Sequence, residues 1–132
     1  MIVLDTHVLV WWVNGDSKLS LPAKKAISKS LKAGGELLVS SITAWEIALL
    51  VKKGRLLLTM DIADWIATTA AIEGVRYVPI DNEVALHSVD MPGEFHPDPA
   101  DRMITALARR FNIPLVTADE RIRQYKFVKT IW

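Results

Sequence analysis

The chain has 132 residues, of which 51% are apolar and 23% charged, and its formal net charge is +1. This length suits one domain with a sizeable core, and the near-neutral charge excludes nucleic-acid binding that depends on overall positive charge. The absence of cysteine excludes disulfides and thiolate metal sites, and no apolar run approaches the ~18 residues that span a membrane. We therefore expect one domain over residues 1–132, soluble, cytoplasmic and without a membrane anchor.

The first predicted element is a buried strand, Ile2–Leu4, and a second apolar run from Val8 to Val13 follows it. Glycine, proline and capping residues mark where the next elements begin and end. In the first half of the chain they predict a helix opened by Ser20-Leu21-Pro22 and running to about Leu31, a strand over Glu36–Ser40, a helix from about Ile42 to Lys52, and an amphipathic helix over Asp61–Glu73.

The second half of the chain continues the alternation of strands and helices. It predicts a strand over Tyr77–Ile80, a short helix capped by Asp81, a loop over Met91–Pro99, a helix over Pro99–Phe111, a strand over Leu115–Thr117, a short helix starting at Asp119, and an edge strand over Phe127–Ile131. Such alternation is typical of an α/β fold whose central parallel sheet, here of about five strands, is covered on both faces.

Four acidic residues follow predicted strands directly or lie early in the next helix: Asp5, Glu46, Asp101 and Asp119. Because right-handed crossovers bring the carboxyl ends of parallel strands to one edge of the sheet, we expect these carboxylates to meet. Each pair at ~4 Å costs ~4 kcal/mol at an effective dielectric of ~20, and a cluster of hard oxygen ligands is what Mg²⁺ or Mn²⁺ requires. The pattern indicates metal-assisted phosphodiester hydrolysis, with water as the nucleophile.

Each acid also has a purely structural interpretation. Asp5 and Asp119 could serve helix N-termini, and Glu46 completes a capping box with Thr43. Against the box, Glu46 lies in an apolar row without Lys or Arg three or four residues away, and such a carboxylate costs several kcal/mol unless something satisfies it.

The fourth acid follows a further carboxylate. Asp98 before Pro99 has the pattern of an N-cap with proline in the first turn, which structure alone explains. Asp101 falls in that first turn, at the edge of the apolar face.

The four acids lie in the motifs LDTHVLVWW, SSITAWEIALLVKKGRL, HPDPADRMITALA and LVTAD. Together and in this order they resemble the PIN-domain family, and within it the VapC-type ribonuclease toxins of toxin–antitoxin pairs. The resemblance covers essentially the whole chain. It implies a PIN-like three-layer α/β/α fold and a Mg²⁺- or Mn²⁺-dependent endoribonuclease that cleaves RNA. It also implies a cognate antitoxin, a homodimer, catalytic and metal-binding roles for Asp5, Glu46, Asp101 and Asp119, and an outer-shell role for Thr6, Asp98 and Thr117.

Two further sets of residues are candidates for partner contacts. The candidate RNA contacts are basic side chains, Lys52, Lys53, Arg55, Arg102 and Arg109. The candidate antitoxin groove is formed by apolar side chains on two successive helices, Trp45, Leu49, Trp65 and Ile66. The three histidines are not at metal-ligand spacing.

Two other functions stay open on the sequence alone. One is a catalytically inactive PIN-like interaction module that keeps the acidic edge. The other is a magnesium-dependent phosphohydrolase of the haloacid-dehalogenase kind, which also places Asp after its first strand. That class needs a second Asp two residues later, where this chain has His7.

Overall fold

The computed structural model describes all residues from 1 to 132. Its centre is a sheet of five short parallel strands, in the spatial order β3-β2-β1-β4-β5. The strands are β1 (Ile2–Leu4), β2 (Leu37–Ser40), β3 (Val75–Val78), β4 (Leu115–Val116) and β5 (Thr130–Ile131). The helices are α1 (Thr6–Asn14), α2 (Leu21–Lys32), α3 (Ile42–Lys52), α4 (Ile62–Ala70), α5 (Asn82–Val89), α6 (Pro99–Phe111) and α7 (Glu120–Arg123).

Two apolar cores lie on opposite faces of the sheet because successive strand side chains point to opposite sides. Ile2 and Leu4 of β1 face one core, where they pack with residues of α1 to α4. Val3, between them, faces the other core with residues of α5, α6 and α7. This is the three-layer α/β/α architecture, and the predicted fold class and central parallel sheet are confirmed.

The order of strands fixes where a site can form. From β1 the chain first adds β2 and then β3 on one side, and later adds β4 and β5 on the other. The direction of winding therefore reverses between β1 and β4. In open α/β sheets, ligands bind in the crevice at the carboxyl ends of the two strands where this reversal occurs.

Three elements, β3, α4 and β5, differ clearly from the sequence expectation, and others differ by one or two residues at an end. The strand predicted over Tyr77–Ile80 is Val75–Val78, paired in register with Leu37–Ser40. It ends before Pro79, which has no backbone N–H to donate to a ladder.

The helix predicted to reach Glu73 ends at Ala70, because the chain must turn through Gly74 to pair Val75 with Leu37. The predicted edge strand keeps only Thr130–Ile131, because β4 offers it only two residues to pair with. No helix is both long and apolar enough to cross a lipid bilayer.

Candidate active site

A cavity of about 420 Å³ lies at the carboxyl ends of β1 and β4, where the winding of the sheet reverses. The four predicted acids come together in it, although they are spread along the sequence from Asp5 to Asp119. Asp5 follows β1, Glu46 lies on α3 after β2, Asp101 is in the first turn of α6, and Asp119 follows β4. The lining residues are Asp5, His7, Trp11, Glu46, Asp98, Asp101, Ala118, Asp119 and Arg121.

Asp5 is a buried carboxylate, with 7% of its surface exposed. Its Oδ1 accepts a hydrogen bond from the backbone N–H of Thr6 at 2.8 Å, and its Oδ2 accepts one from the hydroxyl of Thr117 at 2.6 Å. Burial raises the pKa of Asp5, and these two hydrogen bonds oppose the rise. No ion pair reaches this carboxylate. A buried carboxylate without a cation is costly, so the pocket around Asp5 favours a positively charged ligand.

Glu46 reaches the cavity through a chain of hydroxyl groups. Thr6 Oγ1 donates to Glu46 Oε1 at 2.5 Å, and Thr43 Oγ1 lies 3.0 Å from Thr6 Oγ1. Because the Thr6 hydroxyl has one hydrogen, which it gives to Glu46, Thr43 is the donor in the second contact. Burial raises the pKa of Glu46 to about 7, against the Thr6 hydrogen bond and together with repulsion from Asp5 and other acids.

The capping-box interpretation of Glu46 is wrong. The N-cap position of α3 is Ser41, without a side-chain cap, and Thr43 lies inside the helix. The Thr43 hydroxyl instead contacts Thr6, and the Glu46 carboxylate turns to the cavity.

Asp101 is held from two sides. His96 Nε2 lies 2.7 Å from Asp101 Oδ2, and the backbone N–H of Asp101 donates to Asp98 Oδ2 at 3.0 Å. Asp98 is the N-cap of α6, as its position before Pro99 predicts. Burial raises the pKa of Asp101 to about 6; the contact with His96 opposes the rise, and repulsion from neighbouring acids, Asp5 first, adds to it. The candidate ligand atoms of His96, Asp98 and Asp101 lie within 4.8 Å of one another.

Asp119 combines a helix cap with a place at the cavity. Its Oδ1 accepts from the backbone N–H groups of Arg121 and Ile122, at 2.8 and 3.2 Å. Its own N–H donates to Thr117 Oγ1 at 3.0 Å. Thr117 thus joins Asp5 to Asp119, and both acids cap a helix while they also line the cavity.

Arg102 needs a correction, because its guanidinium group is occupied by backbone carbonyls. Arg102 donates to the carbonyls of His96, Ser88 and Phe95 at 2.9, 3.0 and 2.6 Å. Arg109 donates to the carbonyl of Phe127 at 3.0 Å, two turns along α6 from the cavity. Arg102 therefore fixes the loop that carries His96 and is not free to bind RNA, whereas Arg109 stays a candidate, away from the cavity. Lys52, Lys53 and Arg55 are exposed, beyond the end of α3 or in its last turn.

The predicted antitoxin groove also needs a correction. Trp65 is 4% exposed and belongs to the core, since α4 turns it inward against the sheet. Trp45 is 53% exposed, whereas Leu49 and Ile66 are half-buried. An apolar surface therefore exists on α3 at Trp45 and Leu49, but Trp65 is not part of it.

Four residues of the site were not singled out from the sequence: His7, Trp11, His96 and Arg121. His7 and Trp11 are four residues apart on α1, which puts them on one face of the helix; their rings are 5.7 Å apart. Arg121 gives no sequence signal, because α7 is a single turn and Arg121 belongs to its last-turn residues, where a cation is usual. His96 has no sequence signal either, because residue spacing does not predict the loop conformation that brings His96 to Asp101.

The chemistry of the donor set fits a divalent metal ion of the hard class. The cavity offers oxygens from Asp5, Glu46, Asp101 and Asp119, and burial raises the pKa of the first three. A hard divalent cation would relieve the cost of holding these charges together, since such ions prefer carboxylate oxygens.

The model of the PIN-domain family matches residues 2–128, and the chain belongs to this family. The predicted family is therefore confirmed. Over 133 aligned positions the chain is 36% identical to Ribonuclease VapC22 of Mycobacterium tuberculosis, covering 99% of this chain and 98% of that protein.

Solved structures share the fold. VapBC2 from Rickettsia felis, bound to a DNA fragment from its promoter, matches with a TM-score of 0.70 and 15% identity, over 98% of this chain and 97% of the other. DNA-bound VapBC from Salmonella typhimurium matches with a TM-score of 0.67 and 18% identity, over 98% and 95%. At 15% and 18% identity, these two similarities show a shared fold and no more.

Proposed function

We propose that this protein is a Mg²⁺- or Mn²⁺-dependent endoribonuclease and the toxin of a toxin–antitoxin pair. The observation that carries the proposal is the meeting of Asp5, Glu46, Asp101 and Asp119 in one cavity, at the reversal point of the sheet. Membership of the PIN-domain family and the 36% identity to a ribonuclease support RNA as the substrate.

The four carboxylates would hold the divalent ion. When bound, such an ion polarises water for attack on phosphorus and stabilises the charge on the leaving oxygen. The protein's own hydrogen bonds orient these ligands in advance: Thr6 and Thr117 hold Asp5, and His96 holds Asp101. A ligand whose position is fixed by a neighbouring hydrogen bond loses less freedom when the ion arrives.

Glu46 is also suited to take a proton from the attacking water. Its Oε1 accepts from Thr6, which leaves Oε2 free to accept the proton. Burial raises the pKa of Glu46 to about 7 in the metal-free protein, and a cation in the cavity would lower this pKa and favour the ionised form that a general base needs. The exposed cations Lys52, Lys53 and Arg55, at the end of the same helix, are candidates to bind the RNA backbone.

The proposed protein partner is an antitoxin. Two of the structures that share this fold are VapBC complexes, and a third is a toxin–antitoxin complex from Klebsiella pneumoniae. On this chain the exposed Trp45, with Leu49 one turn further along α3, is the apolar surface next to Glu46. A segment that covers it would also approach the cavity. We propose a homodimer and a cytoplasmic location on the same family grounds.

The test is RNA cleavage by the purified protein, with Mg²⁺, with Mn²⁺ and with EDTA. We expect cleavage with either ion, no cleavage in EDTA, and loss of at least about 100-fold in rate for Glu46→Gln, whose fold stays intact. Full activity in EDTA, or wild-type turnover by Glu46→Gln, would contradict the metal mechanism.

The inactive interaction module is the alternative to this proposal. It predicts no cleavage of any RNA and no change in melting temperature on adding either ion. The haloacid-dehalogenase alternative is set aside, because the chain belongs to the PIN-domain family.

A further inference from the structure

Arg121 is the one lysine or arginine that lines the acidic cavity. Its Nη2 lies 3.7 Å from Asp101 Oδ2 and 3.8 Å from Asp119 Oδ2, so the guanidinium lies between two proposed metal ligands. The side chain is 63% exposed, whereas those of Asp101 and Asp119 are 12% and 29% exposed. Arg121 therefore stands at the mouth of the cavity, with the carboxylates further inside.

The stability of the fold does not explain this position. α7 is a single turn, and Arg121 belongs to its last-turn residues, so the helix dipole gives no reason for its place at the cavity. Its distances to both carboxylates exceed those of a hydrogen bond, and exposed ion pairs of this kind contribute little. Arg102 is different, because each of its three contacts to carbonyl oxygens is 3.0 Å or shorter. Arg102 builds structure, and Arg121 keeps its donors free.

We propose that Arg121 is the phosphate-binding residue of the cavity, a site for a phosphodiester oxyanion of the substrate. This rests on the proposed function. In the metal-free protein the guanidinium is a loose counter-ion for Asp101 and Asp119. When a divalent cation neutralises those carboxylates, the guanidinium leaves them and donates its hydrogen bonds to the non-bridging oxygens of the phosphate.

The chemistry of the guanidinium fits both states. Its planar fork of N–H groups matches two phosphate oxygens at once, and this charge-assisted contact is stronger than a loose pair at 3.7 Å. The exposed side chain can turn without disturbing the core, because its backbone N–H, and not its guanidinium, takes part in the cap of α7.

The test compares Arg121→Gln and Arg121→Lys with Arg123→Gln. Arg123 is exposed on the same short helix and does not line the cavity, which makes it the matched control. Two quantities are measured: the affinity for Mn²⁺ without RNA, from the metal dependence of the melting temperature, and the kinetics of RNA cleavage.

For Arg121→Gln we expect Mn²⁺ to bind about 3- to 10-fold more tightly, since a competing cation is gone. We also expect kcat/KM for RNA to fall about 10- to 100-fold, as for a lost charge-assisted hydrogen bond. Arg121→Lys, which keeps the charge but not the fork, should fall between wild type and Arg121→Gln. Arg123→Gln should match wild type in both measurements.

Three results would overturn the proposal. Cleavage by Arg121→Gln at the wild-type rate would leave Arg121 a counter-ion only. Weaker Mn²⁺ binding would make it a support of the metal site, and an equal loss with Arg123→Gln would reduce it to general positive charge. Absence of cleavage by the wild-type protein with either ion would instead contradict the proposed function. The Mn²⁺ titration distinguishes this case from a failure of the Arg121 proposal, because it measures metal binding without RNA cleavage.

Discussion

At the residue scale, Glu46 carries a measurable cost of holding its charge in the fold. Burial raises its pKa from an ordinary 4.5 to about 7, so the native state binds a proton more tightly than the unfolded chain does. The native state is then stabilised by falling pH. The cost is absent below about pH 4.5, grows as pH rises between the two pKa values, and is complete above about pH 7.

We predict that Glu46→Gln stabilises the metal-free protein at pH 7.5 by about 1–3 kcal/mol and has little effect at pH 5. The amide oxygen of Gln can still accept the hydrogen bond from Thr6, so the shape of the site is kept. Urea unfolding in EDTA at the two pH values gives both differences. Equal effects at pH 5 and pH 7.5 would mean that charge is not the cause.

A second prediction concerns the Thr105 hydroxyl on α6, which is fully buried and has no hydrogen-bond partner. Replacing it with the methyl group of valine removes an unsatisfied polar atom, so Thr105→Val should be neutral or stabilise the fold by up to about 1 kcal/mol.

The matched control is Thr69, which is equally buried. Its hydroxyl contacts Tyr77 Oη at 2.9 Å and donates to the carbonyl of Ile66 at 3.0 Å. Thr69→Val should therefore cost about 1–2 kcal/mol. A comparable loss in both variants, measured by chemical unfolding, would show that Thr105 has a partner.

The four acids could be predicted at this scale because each sits at a position that topology fixes. Asp5 follows β1 directly and Asp119 comes three residues after the end of β4, and those two strands are neighbours. His96 and Arg121 could not be placed in the same way. Their positions depend on how the Met91–Asp98 loop folds back and on how a side chain leans from a short helix, and neither is encoded in a period of hydrophobicity.

At the scale of elements, the N-terminus of α6 links the stability of a helix to the geometry of the cavity. Asp98 caps it through the N–H of Asp101, which is itself a member of the cavity. We predict that Asp98→Ala costs about 1 kcal/mol and Asp98→Asn almost nothing, because Asn caps equally well. Both changes remove the same charge, so their difference in melting temperature isolates the cap. Identical melting temperatures for the two variants would refute it.

The period of the apolar residues predicted α6, and Gly54 marked the end of α3; the bounds of these two helices match the expectation at both ends. The ends of elements were predictable only where a residue at the end itself, such as a proline or glycine, stops the helix or strand. Pro79 should have ended β3 at Val78, whereas the shortness of β5 follows from its partner β4 and has no local sign. Pairing with a neighbouring strand thus sets the length of a strand where the local sequence does not.

At the scale of the whole molecule, the net charge of +1 hides an uneven distribution. Five carboxylates and one arginine line a single cavity, so the charges there sum to −4 (−5 + 1) when all are ionised. The metal-free protein is therefore held together against a local repulsion.

We predict that Asp101→Asn melts higher than wild type in EDTA, by roughly 1–2 kcal/mol of stability. Asn keeps the shape and can still accept from His96. Added Mg²⁺ should stabilise wild type and do little for the variant, because a ligand of the native state adds stability by mass action. Thermal melts with EDTA and with Mg²⁺ measure both effects. A lower melting temperature for Asp101→Asn in EDTA would mean that these carboxylates do not repel one another.

The hydrogen bond from Thr117 to Asp5 joins residues 112 positions apart and has a consequence for how the protein is made. The ribosome synthesises β1 first, then β2 and β3, and the second edge of β1 stays unpaired until β4 has been made. Domains complete their folding as units once the last contributing segment has emerged. A nascent chain that has not reached residue 117 therefore contains Asp5 and Glu46 but lacks Asp119 and the hydrogen bond from Thr117 to Asp5. The complete set of carboxylates can therefore form only after residues 117–119 have been synthesised and β4 has paired with β1.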